Sequence, residues 1–358
     1  MRFLSSYQSI FSGVAKYRLR TILYIAIFWT VIDILVTFMV KDREIRNILR
    51  SLPLRETIVF IMSCAMGYLF VFTLKDELRN NPPVINFILK TVILLLAAFL
   101  MNFLVHFLDD ILIENKTSRQ AFHHFVKDLL PSRWLFQKIL YWLILFTITQ
   151  LYIEINEKYS PGVFRDIILG KYRQPKIEKR IIMFMDLKDS TPIAEKLGHV
   201  ENFKFIRDFI YHVSMALIEH NGRIYQYVGD EIVVSWLSEK KNTNKCMAAI
   251  ITARRNLQKN SENFRRKYDI VPEFRVGIHM GEVTVGEIGV IKKDLAMSGD
   301  TMNTTARIRS ACNELNQKFI MSKDFMDTTD LEEWQGESLG VVDLKGKSSG
   351  IELFSLKV

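Results

Sequence analysis

Two aspartates stand at the ends of short apolar runs, where carboxylates can share a divalent cation. Asp186 ends the run 181–186, and Asp230 lies 44 positions later, at the junction of two further runs. The residue types of these runs predict β-strands, and Mg²⁺ and Mn²⁺ prefer carboxylate oxygens as ligands. The pair therefore predicts a metal site. The alternatives are a helix cap at Asp186 and a plain hairpin turn at Asp230.

A second polar pair lies on a predicted helix. Asn303 and Arg307 are four residues apart in the stretch GDTMNTTAR, and residues at that spacing share one helix face. The neighbouring Arg309 is expected to lie on a solvated face. His279, two residues after Gly277 on a predicted strand, is expected to be structural.

The elements that must position these residues predict an α+β domain over 177–358. Strands are predicted over 180–186, 222–228, 231–237, 273–280, 282–288, 317–321, 332–343 and 350–357. Helices are predicted over 190–198, 201–220, 243–267, 301–313 and 322–328, with a loop between 288 and 301. This order contains the β-α-β-β-α-β pattern of the ferredoxin-like fold. It predicts an antiparallel sheet with helices on one face.

Four long apolar segments distinguish the first half of the chain. A bilayer crossing takes about 20 residues, and the segments with roughly that length are 21–40, 57–74, 87–107 and 134–153. They predict a membrane domain over 21–153, between an N-terminal segment 1–20 and a linker 154–176. The alternative, a soluble helical bundle, would have too little polar surface.

Asp33 lies inside the first predicted span. Intramembrane carboxylates are costly and often functional, and the alternative here is an interhelical hydrogen bond. An even number of spans places both termini on one side of the membrane. Basic residues do not decide which side, because they occur both at the N-terminus (Arg18, Arg20) and in the first loop (Lys41, Arg55).

The composition argues against a nucleic-acid-binding protein. The net charge is +9, but many basic residues flank apolar segments instead of clustering with aromatics. The three cysteines, Cys64, Cys246 and Cys312, show neither metal-ligand spacing nor a disulfide framework. They are typical of reduced thiols in a cytoplasmic domain.

Five motifs of the second half follow one another in the order FMDLKDST, YVGDEIVVSW, FRVGIHMGEV, SGDTMNTTARI and LKGK. Together they resemble the catalytic domain of the class III nucleotidyl cyclases, over about half of the chain. The preceding spans are similar to the anchors of membrane-bound bacterial cyclases. The resemblance implies a ferredoxin-like class III cyclase catalytic domain preceded by a four-helix transmembrane region.

The resemblance assigns the aspartates to metal binding. Asp186 and Asp230 would hold two divalent cations, Mg²⁺ or Mn²⁺, together with the backbone carbonyl of Leu187. In the implied reaction, the ribose 3′-hydroxyl of a nucleoside triphosphate attacks the α-phosphorus and pyrophosphate leaves. Metals at such a site would activate the hydroxyl and hold the phosphates.

The resemblance also assigns the basic residues. Asn303 would orient the ribose, and Arg307 would stabilise charge on the transferring phosphorus. Lys345 would contact the terminal phosphates, a role that Lys347 could share, and Arg275 would lie near the phosphates. In this family two domains share each site, so a chain with one such domain implies a homodimer.

The base-selecting positions depart from the family pattern. Adenylate cyclases commonly have a lysine at the position of Gln226 and an aspartate or threonine at that of Ala296. Guanylate cyclases have glutamate and cysteine there. Gln226 can donate and accept hydrogen bonds, whereas Ala296 offers only backbone groups. The preference for ATP therefore rests on the similarity to bacterial membrane-anchored cyclases.

The sequence thus predicts a multi-pass adenylate cyclase of the cell (inner) membrane. It would convert ATP to 3′,5′-cyclic AMP and pyrophosphate at a homodimer interface, with its catalytic domain in the cytoplasm, where ATP is found. The alternatives are a guanylate cyclase and an inactive membrane receptor with a cyclase-like domain. Retention of both aspartates, Asn303 and Arg307 argues against the inactive receptor. The helix of Asn303 and Arg307 argues against a diguanylate cyclase.

Overall fold

The computed structural model describes residues 13–39, 45–74, 81–158, 163–291, 294–329, 336–347 and 349–356. Most of the predicted N-terminal segment (1–12), part of the first loop (40–44) and the start of the strand expected at 332–343 (332–335) lie outside the described residues. The chain divides into two compact units, Met1–Glu157 and Lys158–Val358.

Long apolar helices make up the first unit. They are α1 (Gly13–Met39), α2 (Ile45–Tyr68, continued by a π-helical turn over Leu69–Thr73), α3 (Pro83–Leu112), the short α4 (Ser118–His124) and α5 (Arg133–Lys158). Among the described residues, four stretches are long and apolar enough to cross a membrane: Arg18–Phe38, Leu49–Thr73, Val84–Leu112 and Leu135–Ile155. Many of their large apolar side chains are exposed, as lipid-facing side chains would be. The four predicted apolar helices are confirmed.

Asp33 is buried between three of these helices, with an exposed fraction of 1%. Its Oδ2 accepts hydrogen bonds from Arg55 Nε and Nη2 at 2.9 and 2.6 Å, and its Oδ1 accepts one from Lys138 Nζ at 2.7 Å. The placement of Arg55 in the first loop is therefore wrong, because Arg55 lies within α2. The carboxylate compensates the guanidinium, so the apolar stretch can begin earlier than expected, at Leu49.

One mixed sheet forms the centre of the second unit. Its described elements are α6 (Val163–Ile168), β1 (Lys176–Leu187), α7 (Ser190–Glu219), β2 (Arg223–Val228), β3 (Glu231–Leu237), α8 (Lys240–Lys259), α9 (Ser261–Tyr268), β4 (Phe274–Ile288), β5 (Asp294–Ser298), α10 (Asp300–Glu314), β6 (Phe319–Ser322), α11 (Lys323–Met326), β7 (Gly336–Val342) and β8 (Ile351–Leu356). The strand order is β2-β3-β1-β4-β6-β8-β7, with β5 paired to β4.

The sequence predicts a purely antiparallel sheet, and this prediction is wrong. The pair β4–β6 is parallel, because α10 carries the chain over the sheet before β6 begins, and such a crossover joins parallel strands. Two predicted strands, 273–280 and 282–288, are one continuous β4. The predicted loop after them contains β5, which pairs with the end of β4.

Helices cover both faces of the sheet, whereas the sequence predicts one covered face. Ile181 and Met183 of β1 pack in the core beneath α7, α8 and α9. Side chains alternate between faces along a strand, so Ile182 points to the opposite side. There Ile308 of α10 packs with Ile320 of β6. Both faces need cover because the central strands are apolar on both sides.

The core of the second unit also includes Tyr172, which precedes β1. This side chain is fully buried, in a cluster with Ile182 and Val283. Its hydroxyl donates to Glu178 Oε1 and accepts from Arg180 Nη2, each at 3.2 Å. The compact unit therefore begins upstream of residue 177.

Candidate active site

Two glycines allow α10 to lie directly on β4. A Cβ atom on Gly277 would be 2.4 Å from the backbone nitrogen of Arg309, and one on Gly281 would be 2.5 Å from Thr301 Oγ1. The same Thr301 hydroxyl donates to the carbonyl of Glu282 at 2.6 Å. The helix is thus fixed along the strand, and this fixes the backbone that carries Asn303, Arg307 and Arg309.

The two aspartates lie at one end of neighbouring strands. Asp186 is the penultimate residue of β1, and Asp230 lies in the turn before β3, which pairs with β1. Burial, and then the charge of Asp230, raises the pKa of Asp186 to about 7. Oδ2 of Asp230 is buried and has no hydrogen-bond partner among the residues that the structure describes. The fold therefore holds two carboxyl groups together against their mutual repulsion.

This arrangement fits a divalent cation. A cation would relieve the repulsion and supply the partner that Asp230 Oδ2 lacks. Leu187 follows Asp186 in β1, so its carbonyl belongs to the same strand end. No three His, Cys, Asp or Glu side chains converge as a metal site within the described ranges. Two carboxylates can be enough, because Mg²⁺ is commonly held by one or two carboxylates together with substrate phosphates.

Arg309 contacts one carboxylate of this pair and a third carboxylate beside it. Its Nη1 is 3.2 Å from Asp186 Oδ2, and its Nε and Nη2 are both 2.9 Å from Glu231 Oε2. The expectation of a solvated Arg309 is wrong, because two residues beyond Arg307 amounts to about 200° around the helix. Burial raises the pKa of Glu231, and Arg309 opposes that rise. Sequence reasoning missed Glu231, whose only signal is its position next to Asp230.

The basic turn near the C-terminus lies against α10. Arg307 Nη1 donates to the carbonyl of Gly346 at 3.3 Å, and Lys347 Nζ pairs with Asp300 Oδ2. The turn contains Lys345, so the structure brings the predicted phosphate lysine close to Arg307. Asn303 and Lys345 are exposed.

The predicted site residues of one chain form two groups: an aspartate group (Asp186, Leu187 and Asp230, with Arg275) and a helix group (Asn303 and Arg307 on α10, with Lys345 on the turn beside it). Arg275 lies directly opposite Asp186 in the β1–β4 pairing, so it belongs to the strand end with the aspartates. Among the described residues, no hydrogen bond or ion pair joins Asn303, Arg307 or Lys345 to either aspartate.

The two positions predicted to select the base lie on strands that are connected by a hydrogen bond to a tyrosine side chain. Gln226 is exposed on β2, after a bulge that contains Tyr225. The hydroxyl of Tyr225 accepts a hydrogen bond from the backbone N–H of Met297 at 3.1 Å. Ala296, the preceding residue, is paired with Gly286 in β4–β5. Sequence reasoning missed Tyr225 because it predicted a loop where β5 lies.

His279 is buried within β4, and its Nδ1 is 2.8 Å from Ser322 Oγ. It contacts neither aspartate, in agreement with the predicted structural role.

Residues 172–357 match the family model of the adenylate and guanylate cyclase catalytic domain. The chain belongs to this family. Adenylate cyclase 2 of Rhizobium meliloti (strain 1021) is 28% identical over 57% of either chain. Adenylate cyclase of Anabaena cylindrica is 26% identical, over 57% of this chain and 43% of its own length. Guanylate cyclase 2D of Rattus norvegicus is 24% identical, over 44% of this chain and 14% of its own.

The solved structure of a bacterial light-regulated adenylyl cyclase has the same fold. It superposes with a TM-score of 0.53 at 18% identity, over 60% of this chain and 64% of that one. The cyclase spans about half the length of the curated bacterial relatives named above. The class III cyclase fold predicted from the motifs is confirmed.

Proposed function

We propose that this cyclase is a membrane-bound adenylate cyclase that converts ATP to 3′,5′-cyclic AMP and pyrophosphate. The observation that carries the proposal is the pair Asp186 and Asp230, which the fold holds together at a strand end. Among the described residues, the buried Oδ2 of Asp230 has no hydrogen-bond partner. The names of the Rhizobium and Anabaena relatives support ATP as the substrate.

The aspartate group would hold two divalent cations, Mg²⁺ or Mn²⁺. Asp186, Asp230 and the carbonyl of Leu187 would be their protein ligands. Bound metal would lower the pKa of the 3′-hydroxyl and neutralise charge on the phosphates. Arg275, opposite Asp186, would contact those phosphates.

The helix group would act on the ribose and on the transferring phosphorus. Asn303 would hold the ribose so that its 3′-oxygen faces the α-phosphorus. Arg307 would stabilise the charge that develops as the new bond forms and pyrophosphate leaves, because a fixed guanidinium needs no reorganisation. Lys345, on the turn beside Arg307, would bind the terminal phosphates.

A homodimer would unite the two groups. Within one chain they are not joined by contacts among the described residues, and a reaction on one substrate needs both in near-attack geometry. Two copies related by a two-fold axis would form two equivalent sites, each with aspartates from one chain and Asn303, Arg307 and Lys345 from the other.

The four apolar helices would anchor this dimer in the cell (inner) membrane. The proposed organisation is a cytoplasmic N-terminal segment 1–20, a membrane domain 21–153, a linker 154–176 and a catalytic domain 177–358, with Tyr172 at the end of the linker packed into the core of the catalytic domain. Because ATP is cytoplasmic, the catalytic domain and both termini would lie on the cytoplasmic side.

The base would be read by an uncommon set of groups. Gln226 can pair with an adenine edge through its amide. Ala296 adds backbone groups, and the Tyr225 hydroxyl beside it is held by Met297.

The deciding experiment supplies ATP and GTP separately to purified full-length protein with Mn²⁺ and identifies the product by mass. We expect cyclic AMP from ATP. Cyclic GMP from GTP alone would keep the chemistry and overturn the substrate. No product from either nucleotide, with metal and nucleotide bound, would favour the inactive receptor.

The shared site is tested by mixing two inactive chains. In a heterodimer of Asp230→Asn and Arg307→Ala chains, one of the two sites retains both groups intact. We therefore expect partial recovery of activity, up to about half of the parental dimer when one of two equivalent sites is intact. A verified heterodimer without activity would contradict the shared site.

A further inference from the structure

We propose that Arg309 is a positioning residue for the metal-binding carboxylates: from α10 it holds Asp186 and Glu231 in place and thereby sets the affinity of the site for a divalent cation. The inference rests on the proposed function, since that function makes Asp186 a metal ligand. It adds a residue outside the group of Asn303, Arg307 and Lys345.

The contacts of Arg309 are those of a guanidinium shared by two carboxylates. Nη1 meets Asp186 Oδ2 at 3.2 Å, while Nε and Nη2 converge on Glu231 Oε2 at 2.9 Å. The Nε contact is a charge-assisted hydrogen bond to Glu231, which is strong and directional, whereas the Nη1 contact with Asp186 is an ion pair. Groups that contact a ligating carboxylate help to orient it for its metal, and losing them typically weakens metal binding.

Arg309 is itself held at both ends. Its backbone nitrogen lies against Gly277, where a Cβ would come within 2.4 Å. Its guanidinium is anchored by Glu231, at the first residue of β3. Arg309 therefore ties β1, β3 and α10 together at the strand end that carries the aspartates.

Charge gives Arg309 a second effect. Asp186, Asp230 and Glu231 bring three carboxyl groups to one strand end, and like charges in such proximity repel. The arginine compensates part of this charge and lets Asp186 keep its position before a cation arrives. A lysine, which is a single point donor, could meet only one of the two carboxylates.

The position of Arg309 on α10 determines on which chain it acts. In the proposed homodimer, Asn303 and Arg307 serve the aspartates of the partner chain. Arg309, on another face of the same helix, contacts Asp186 of its own chain. A change at Arg309 should therefore affect the site to which its own chain contributes aspartates.

The first test measures Mn²⁺ binding to full-length protein in detergent without nucleotide, by the electron paramagnetic resonance of free Mn²⁺. We expect Arg309→Gln to weaken binding about 10- to 100-fold, as for other groups that orient metal ligands. Arg309→Lys should recover part of the affinity. The matched control is Arg223→Gln, which breaks another arginine–aspartate pair of similar exposure, 28% against 25%, and should keep the parental affinity.

Each result decides between defined outcomes. Mn²⁺ affinity that is unchanged or tighter in a folded Arg309→Gln protein would overturn the inference. If that variant does not fold, Arg309→Lys carries the test, and parental affinity in it would overturn the inference equally. Equal affinity of parental and Asp186→Asn proteins would instead overturn the proposed metal site, and the inference with it.

The second test uses the heterodimer with one intact site. Arg309→Gln is added either to the Arg307→Ala chain, which supplies the working aspartates, or to the Asp230→Asn chain, which supplies the working Arg307. We expect the Mn²⁺ concentration for half-maximal rate to rise only in the first case. A rise only in the second case would place Arg309 with the helix group and overturn the inference.

Discussion

At the scale of single residues, Asp186 and Asp230 repel each other, and a bound cation would offset this repulsion. Asp186 and Asp230 are close enough to raise the pKa of Asp186. Among the described residues, Asp230 Oδ2 has no hydrogen-bond partner. An amide in place of either carboxylate would remove the repulsion and, with it, one of the proposed metal-binding carboxylates. Such a change should therefore lower the rate of catalysis without destabilising the fold.

We expect Asp186→Asn and Asp230→Asn each to lower turnover roughly a thousand-fold, the rate equivalent of about 4 kcal/mol of metal-dependent stabilisation. The thermal midpoint should be equal to or above that of the parental protein, because the repulsion is removed, and the circular dichroism should be unchanged. Asp189→Asn is the control, because Asp189 is nearby in the chain but makes no side-chain capping bond and has a φ of 58°, which asparagine tolerates. A folded Asp186→Asn protein with near-parental turnover would contradict the metal assignment.

At the scale of elements, the proposed catalysis would depend on how closely α10 approaches β4. The helix carries Asn303, Arg307 and Arg309, and its distance from the strand is set at Gly277 and Gly281. Any side chain at Gly277 would push the helix away through its backbone, which cannot move aside as a flexible side chain can.

Gly277→Ala should destabilise the second unit by about 1–3 kcal/mol, the usual cost of overpacking a core. We expect a lower thermal midpoint and a weaker Mn²⁺ affinity, because Arg309 would move with the helix. Gly286→Ala, in the same strand, is the control, since its nearest contact would be a milder 3.3 Å to Pro175 Cα. Parental stability in Gly277→Ala would show that α10 yields at no cost.

Polar contacts also join three of the apolar helices of the first unit. Asp33 receives hydrogen bonds from Arg55 of α2 and Lys138 of α5, so three helices meet at one carboxylate. Removing one partner from a buried ionic group is costly because the others are left uncompensated.

Asp33→Asn should therefore destabilise the first unit by about 3 kcal/mol or more. The measurement is thermal unfolding of the full chain in detergent, followed by tryptophan fluorescence, since Trp29 and Trp142 lie in the core of this unit. Asp128→Asn, an exposed position, should leave the midpoint unchanged. An unaltered midpoint in Asp33→Asn would mean that the charged cluster adds nothing to stability.

At the scale of the whole molecule, the chain joins two compact units, of which the second matches the cyclase family. If each site needs two copies, the membrane helices serve catalysis by keeping those copies at a high effective concentration.

A fragment covering residues 163–358 should consequently lose specific activity on dilution, whereas the full chain in lipid vesicles should not. The fragment must begin before Tyr172, because that buried side chain belongs to the core. A fragment that begins at residue 177 should be less stable, which thermal unfolding would reveal. Specific activity of the longer fragment that does not depend on its concentration would contradict the tethering role.

The sequence by itself determined the class of fold and predicted the candidate chemistry-bearing residues. Strand ends, helix spacing and apolar length are local properties, so Asp186, Asp230, the Asn303–Arg307 face and the four long helices could be read from neighbouring residues. The strand β5 was not predicted because its pairing partner lies in β4, and a stretch of five residues is too short to show a periodicity of its own.

Only the tertiary structure decided which groups meet. Arg309 and Glu231 are 78 positions apart, and no local sequence pattern indicates that these two side chains meet beside Asp186. The same holds for Asp33 with Lys138, which are 105 positions apart, and for Tyr172 in the core. Which charged groups pair is a long-range property. In the second unit it is set by the order of strands in the sheet and by the contact of α10 with Gly277.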